Sequence, residues 1–193
     1  RTVSSAASDV YKRQAKDRII TILGLGTLGT ACGIALERLG FNVRGWSRRE
    51  KKVDGILCFF GDDQIDSSLL DADIVVLLLP DTPLTQNILN QHTLNLLKRG
   101  AFVLNPGRGP LIDDDALLAA LETGQIEHAT LDVFRIEPLP KNHQYWSNNK
   151  VTVIPHKASE TRPKTASQVI AMNIERAENG QELLYLVDRE NGY

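Results

Sequence analysis

IITILGLGTLGTACGIALERLG, residues Ile19 to Gly40, joins a short apolar run to an amphipathic one through three glycines, Gly24, Gly26 and Gly29. The run before Gly24 is short and continuous, as a strand covered on both faces requires, and the run after it repeats its apolar residues at helical spacing. Glycines at this spacing between a strand and a helix have a physical purpose. Gly24 permits a tight turn, Gly26 lets backbone approach a pyrophosphate, and Gly29 brings the helix hard against the strand. Backbone amides and the helix dipole then hold the anion. Thr27 and Leu28, inside the motif, join the glycines as candidate coenzyme contacts. The alternative for the same spacing is glycine used only for turning and packing.

The alternation of apolar and amphipathic stretches continues outward from this segment, which is the signature of repeated βαβ units. Strands are predicted at Ile19 to Leu23, Asn42 to Trp46, Leu57 to Phe59, Ile74 to Leu79, Ala101 to Asn105, Thr130 to Val133 and Val151 to Ile154. Helical patterns fall at Leu28 to Leu39, Gln64 to Leu70, Thr93 to Lys98, Asp114 to Glu122 and Pro163 to Asn179. The predicted fold class is α/β, a Rossmann-like doubly wound, mostly parallel sheet flanked by helices. Asp113 to Asp115 place acid at one helix start, and Pro163, just after Thr161, reads as a first-turn proline behind a cap.

A chain of 193 residues with 42% hydrophobic content can bury one core of ordinary size, so one domain is expected. A net charge of −2 argues against a nucleic-acid partner. The longest apolar run, Ile74 to Pro80, is too short for a bilayer, so no membrane partner is expected. Cys32 and Cys58 have neither disulfide nor zinc spacing, which fits a reducing cytoplasm and gives no metal site. Cys32 reads as a small packing residue. Residues 1–14 are polar and aperiodic and resemble translated adapter sequence, a non-native or disordered leader; a native disordered arm is the alternative. The dinucleotide-binding domain is then expected over residues 15–180, with a tail over 181–193.

Nucleotide choice is read at the end of the second strand, where a carboxylate bonds a ribose 2′-hydroxyl. Here the strand runs into Ser47, Arg48 and Arg49, with no carboxylate before Glu50. A 2′-phosphate would be repelled by a carboxylate and bound by guanidinium through paired hydrogen bonds, so NADP is favoured and NAD is the second choice. Two arginines on an ordinary solvated turn are the plainer alternative.

Three further segments carry a family resemblance: LLLPDTPLTQNIL (Leu77 to Leu89), NPGRG onward through FRIEPLP (Asn105 to Pro140), and VTVIPHKASETRP (Val151 to Pro163). In this order and spacing the chain resembles the D-isomer-specific 2-hydroxyacid dehydrogenases over essentially all of Lys16 to Tyr193. WSRR and the closing VDRENGY are similar, more narrowly, to a bacterial glyoxylate/hydroxypyruvate reductase branch. The resemblance implies hydride transfer to small 2-keto acids such as glyoxylate and hydroxypyruvate. It implies that Arg108 binds the substrate's carboxylate and carbonyl, that His156 is the proton donor and acceptor, and that Glu137 orients His156. Those residue types suit the chemistry: an acid titrating near neutrality, a carboxylate to fix it, and a planar cation for the developing oxyanion. It also implies that Leu79, Pro80 and Thr82 line the nucleotide cleft, that Asn105, Pro106 and Gly107 contribute to it, and that Asp132 lies near the nicotinamide amide. Leu79 and Pro80 read equally well as strand termination. Trp146 matches a family tryptophan near the substrate, with core packing the alternative. His92, His128 and His143 read as surface residues.

Pro106 before the Arg108 turn and Lys157 after His156 depart from the family pattern. The resemblance further implies a substrate domain ahead of the first coenzyme strand, to which the tail over 181–193 returns, and a homodimer of the full-length enzyme. With almost nothing preceding Ile19, the chain is expected to bind NADP and turn over poorly. Two other classes compete: a non-catalytic dinucleotide-binding module, and another glycine-motif protein such as a methyltransferase. The second would want an acid after the second strand, where Ser47, Arg48 and Arg49 stand.

Overall fold

The structure, a computed structural model, describes residues 14–159 and 161–189. The expected leader over residues 1–14 lies, Gln14 apart, outside the described residues, as does the end of the VDRENGY segment. Seven strands form the sheet: β1 (Ile19–Leu23), β2 (Asn42–Ser47), β3 (Leu57–Phe60), β4 (Ile74–Leu77), β5 (Ala101–Asn105), β6 (Ile126–Leu131) and β7 (Val151–Val153). Their order is β3-β2-β1-β4-β5-β6-β7, and every pairing is parallel. The chain winds outward from β1 to β3, crosses back, and winds the other way from β4 to β7. The reversal lies between β1 and β4, and open sheets of this kind take ligands at that point, beyond the carboxyl ends of the strands.

The α-helices are α1 (Thr27–Arg38), α2 (Ile65–Leu69), α3 (Gln91–Leu96), α4 (Asp114–Thr123) and α5 (Pro163–Glu178). Period-two alternation divides β1 between the two faces of the sheet. Ile20 and Ile22 join Val43 and Ile56 in a smaller cluster with Cys32 and Cys58 packed against it. Leu23 joins the larger one, built on Leu77, Val103, Leu117, Leu121, Ile126 and Leu131. Cys32 therefore packs, as expected. α4 is bounded by its own sequence: the Asp113 carboxylate accepts from the Ala116 N–H at 3.1 Å, and Gly124 closes the other end at φ +72°.

Most boundaries shift by one or two residues from expectation, and three of the shifts have a clear local reason. β6 begins at Ile126, four residues early, because the polar pair Glu127 and His128 belongs to the strand; His128 Nε2 meets Thr152 Oγ1 across β7 at 2.8 Å. α3 begins at Gln91 because Asn90 accepts from the His92 and Thr93 amides while Thr93 Oγ1 accepts from the Asn90 N–H at 2.8 Å. β4 ends at Leu77, since the Leu78 carbonyl and the start of Leu79 turn toward Gly24. The cap of α5 is Arg162, with no side-chain bond, and not Thr161; Pro163 does occupy the first turn. α5 buries none of its residues, and the segment after it folds back so that Leu184 pairs with the Asn173 amide through both its N–H and C=O. Among the described residues no helix is long and apolar enough to cross a membrane.

Candidate active site

Gly24 sits at φ +111°, and a Cβ there would lie 2.5 Å from the Leu78 carbonyl oxygen. At Gly29 a Cβ would lie 1.8 Å from the Gly24 oxygen, so helix and turn touch through backbone. Gly26 is different: nothing comes within 4 Å of its Cβ position, so the protein itself does not need glycine there. Gly26, Thr27 and Leu28 are exposed, and no side chain caps the amino terminus of the 12-residue α1. First-turn amides without a cap, at the positive end of a helix dipole and beside open space, fit a dinucleotide pyrophosphate. Leu25, buried between the glycines, leans over Gly45 of β2, where a Cβ would strike its side chain at 2.5 Å. Its carbonyl accepts from the Lys51 ammonium and, at 3.2 Å, from Thr30 Oγ1.

At the end of β2 the Ser47 hydroxyl donates to the Arg49 carbonyl at 2.8 Å, so this buried serine shapes the turn that presents the arginines. Arg49 is exposed and Arg48 half-buried. Lys51, which the sequence reading passed over, adds a third cation between this turn and the glycines.

The loops beyond β5, β6 and β7 carry the other candidates. Asn105, fully buried, accepts from the Gly107 N–H at 3.1 Å and donates to the Arg108 carbonyl at 2.9 Å, which folds the chain into a tight turn. Pro106 fits that turn, which draws on the amide of Gly107 and asks nothing of its own nitrogen. A Cβ on Gly107 would lie 2.8 Å from the Leu77 oxygen, and one on Gly109 would lie 1.9 Å from the Phe134 carbonyl carbon. These close approaches stitch the ends of β1, β4, β5 and β6 into one rim.

On that rim the Phe134 N–H donates to Glu137 Oε1 at 2.9 Å, and Glu137 Oε2 lies 2.9 Å from His156 Nδ1. A carboxylate only accepts, so Nδ1 bears the hydrogen and Nε2 is turned to other work. Burial alone would raise the Glu137 pKa, but the hydrogen bonds from His156 and Phe134 and the charges of His156 and Arg108 together hold it below the usual carboxylate range. His156 is at φ +50°, an uncommon setting for a side chain with a Cβ. What holds it there is Asp132. Its carbonyl accepts from the His156 N–H at 2.8 Å, and its buried carboxylate accepts from the amides of Lys157 at 2.6 Å and Ala158 at 3.0 Å. Arg108, Glu137 and His156 are thus brought together, and all three are exposed.

The family described as D-isomer specific 2-hydroxyacid dehydrogenase, NAD binding domain, matches residues 2–158. The chain belongs to this dehydrogenase family. Glyoxylate/hydroxypyruvate reductase A of Serratia proteamaculans is 45% identical over 174 residues, 90% of this chain and 56% of the relative. That of Yersinia enterocolitica is 41% identical over the same length and the same shares. The chain therefore spans a little over half the length of these relatives. A D-isomer specific 2-hydroxyacid dehydrogenase from Xanthobacter autotrophicus, solved with NADPH and MES, superposes with a TM-score of 0.91 at 45% identity, covering 94% of this chain and 75% of that one. The NADPH-dependent glyoxylate/hydroxypyruvate reductase of Sinorhizobium meliloti, solved with NADP and sulfate, gives 0.90 at 31% identity, covering 100% and 60%.

The remaining candidates of this dehydrogenase domain separate into those at the rim and those beneath it. Leu79 and Pro80 follow the end of β4 beside Gly24 and Gly107, while Thr82 is buried in a hydroxyl pair with Thr85 at 3.1 Å. Asp132, expected beside the nicotinamide amide, spends its carboxylate on the loop after His156. Trp146 is 54% exposed, its indole N–H donating to the Pro140 carbonyl at 2.9 Å, so core packing does not account for it. His92 is exposed against Asp66; His128 and His143 are half-buried, and the His143 ring lies 4.5 Å from the buried Tyr145. Sequence reading missed Arg135, Asn87 and Tyr145, whose polar network has no short motif to announce it.

Proposed function

We propose that this chain is the coenzyme-binding part of an NADP-dependent reductase of small 2-keto acids, with glyoxylate and hydroxypyruvate as substrates. The observation that carries the reading is the 2.9 Å contact between Glu137 and His156, on the same strand-end rim as the Arg108 turn and the glycines. Gly24, Gly26, Thr27, Leu28 and Gly29 hold the pyrophosphate, and Arg48 and Arg49, on the turn closed by Ser47, take the 2′-phosphate. When bound, the reduced nicotinamide supplies the hydride. Arg108 anchors the substrate carboxylate and stabilises the charge developing on the carbonyl oxygen. His156 delivers a proton to that oxygen from Nε2, while Glu137 fixes the ring through Nδ1. The names of the relatives support this substrate class.

Residues 15–180 form the coenzyme domain, and 181–193 lead toward a substrate domain of the full-length dimeric, cytoplasmic enzyme. With 53% of the His156 side chain and 37% of the Glu137 side chain open to water, the 193-residue polypeptide binds NADPH but positions a substrate poorly. Calorimetry of NADPH against NADH on this chain, with a glyoxylate-dependent NADPH oxidation assay alongside, tests both parts. Tight NADPH binding with slow turnover is expected. Equal binding of the two coenzymes would remove the phosphate assignment, and rapid turnover would remove the need for a second wall to the site.

A further inference from the structure

We propose that Arg135 is a positioning residue, a clamp that holds the Glu137 loop in register with the Arg108 turn so that the Glu137 carboxylate meets His156. The assignment rests on the reductase reading of that site.

The loop from Arg135 to Pro138 is exposed throughout, with Ile136 64% exposed, so packing alone does little to fix it. Arg135 reaches from this loop to the platform under the Arg108 turn. Its guanidinium donates to Asn87 Oδ1 at 2.6 Å and to the Ile112 carbonyl at 2.5 Å, and its Nε lies 3.7 Å from Asp114 Oδ2. The platform is itself tied: the Asn87 N–H donates to Pro110, the Leu89 N–H to Leu111, and the Asp113 N–H to Leu89. Asp114 is held from below by the hydroxyl of buried Tyr145, at 2.8 Å. Asn87 sits at φ +53°, aiming its side chain to accept from the clamp. Nη2 serves two acceptors while Nε of the same rigid plane faces Asp114 at ion-pair distance, a fixed geometry that a flexible lysine ammonium does not reproduce. Arg135 and Asp114 are partly exposed, so their ion pair adds little stability, and the network acts by orientation.

The test is a ¹³C-carboxyl titration of Glu137 in the 193-residue chain, with NADPH calorimetry on the same samples. His156, Arg108 and the Phe134 N–H face Glu137, and Asp114 faces Arg135; none of these is altered in the variants. In Arg135→Met and in Asn87→Gly, the latter removing the acceptor without changing charge and at a positive φ that glycine adopts readily, the Glu137 midpoint moves up toward that of a free carboxylate. Arg135→Lys shifts it less, and NADPH affinity stays within about twofold in all three, since the glycine turn is untouched. An unchanged Glu137 midpoint in both Arg135→Met and Asn87→Gly would overturn the clamp. Asn87→Gly decides alone if Arg135→Met folds poorly. Failure of the parent to bind NADPH would remove the coenzyme assignment and leave the Glu137 result standing.

Discussion

The glycine turn after β1 and the Arg108, Glu137 and His156 rim after β5, β6 and β7 lie at the same edge of one sheet and are built in opposite ways. The turn is backbone. Its glycines fall within six residues, and contacts between neighbouring main chains define it, so a local sequence suffices to specify it. The rim is made of side chains from three loops spread over about fifty residues: buried Asn105 holds the Arg108 turn, buried Asp132 holds the loop of His156, and the backbone amide of half-buried Phe134 holds Glu137. A binding surface that needs only N–H groups can be written in one motif. A catalytic one needs directions, and directions come from tertiary contacts.

The contrast is most exposed at the glycines. Gly29→Ala, with a methyl 1.8 Å from the Gly24 oxygen, is expected to lose about 3 kcal/mol or more in urea unfolding and to abolish NADPH binding. Gly26→Ala, with nothing within 4 Å, is expected to unfold like the parent and yet bind NADPH more weakly; normal affinity there would show that the turn's openness serves no ligand. At the rim, Gly109→Ala drives a methyl into Phe134 and should break the Glu137 to His156 contact while sparing coenzyme binding. Replacing Arg48 and Arg49 together with glutamine should cost about 1.5–3 kcal/mol in NADPH affinity and little in NADH affinity, read by calorimetry. Tyr145→Phe, which strips the hydroxyl from Asp114, should lower stability by about 1 kcal/mol. The smallest effect concerns pH. Because the Glu137 pKa is lower in the folded chain, its stabilising contribution is present above the ordinary carboxylate range and fades as pH falls through the folded value. The stability gap between the parent and Glu137→Gln should therefore close in acid, and a gap that widened would reverse the assigned sign.

Much of this was legible in residues alone, and the misses share a cause. Short, mostly continuous apolar runs located the seven strands, because strands covered on both faces are largely apolar. β6 was placed four residues late where that rule lapses, since near the edge of the sheet Glu127 and His128 find water and Thr152. Arg108, Glu137 and His156 were found through a resemblance; taken singly, each looks like a loop charge. Asp132, Ser47 and Asn105, read as coenzyme contacts, also make hydrogen bonds within the chain that shape the loops around them, which residue type alone does not disclose. Residue type tells what a side chain can donate or accept, and only the fold tells which partner wins. Arg135 was invisible for the same reason: its two acceptors and its ion-pair partner lie 21 to 48 residues away in sequence.

Chemical-shift mapping of the labelled 193-residue chain on addition of NADPH tests most directly whether the two regions form one site. The glycine turn from Gly24 to Gly29 and the Arg108, Glu137 and His156 signals should all move along one saturating curve with a single affinity. Shifts confined to the glycine turn, with the three rim residues unmoved at saturation, would place the chemistry elsewhere and contradict the reductase reading.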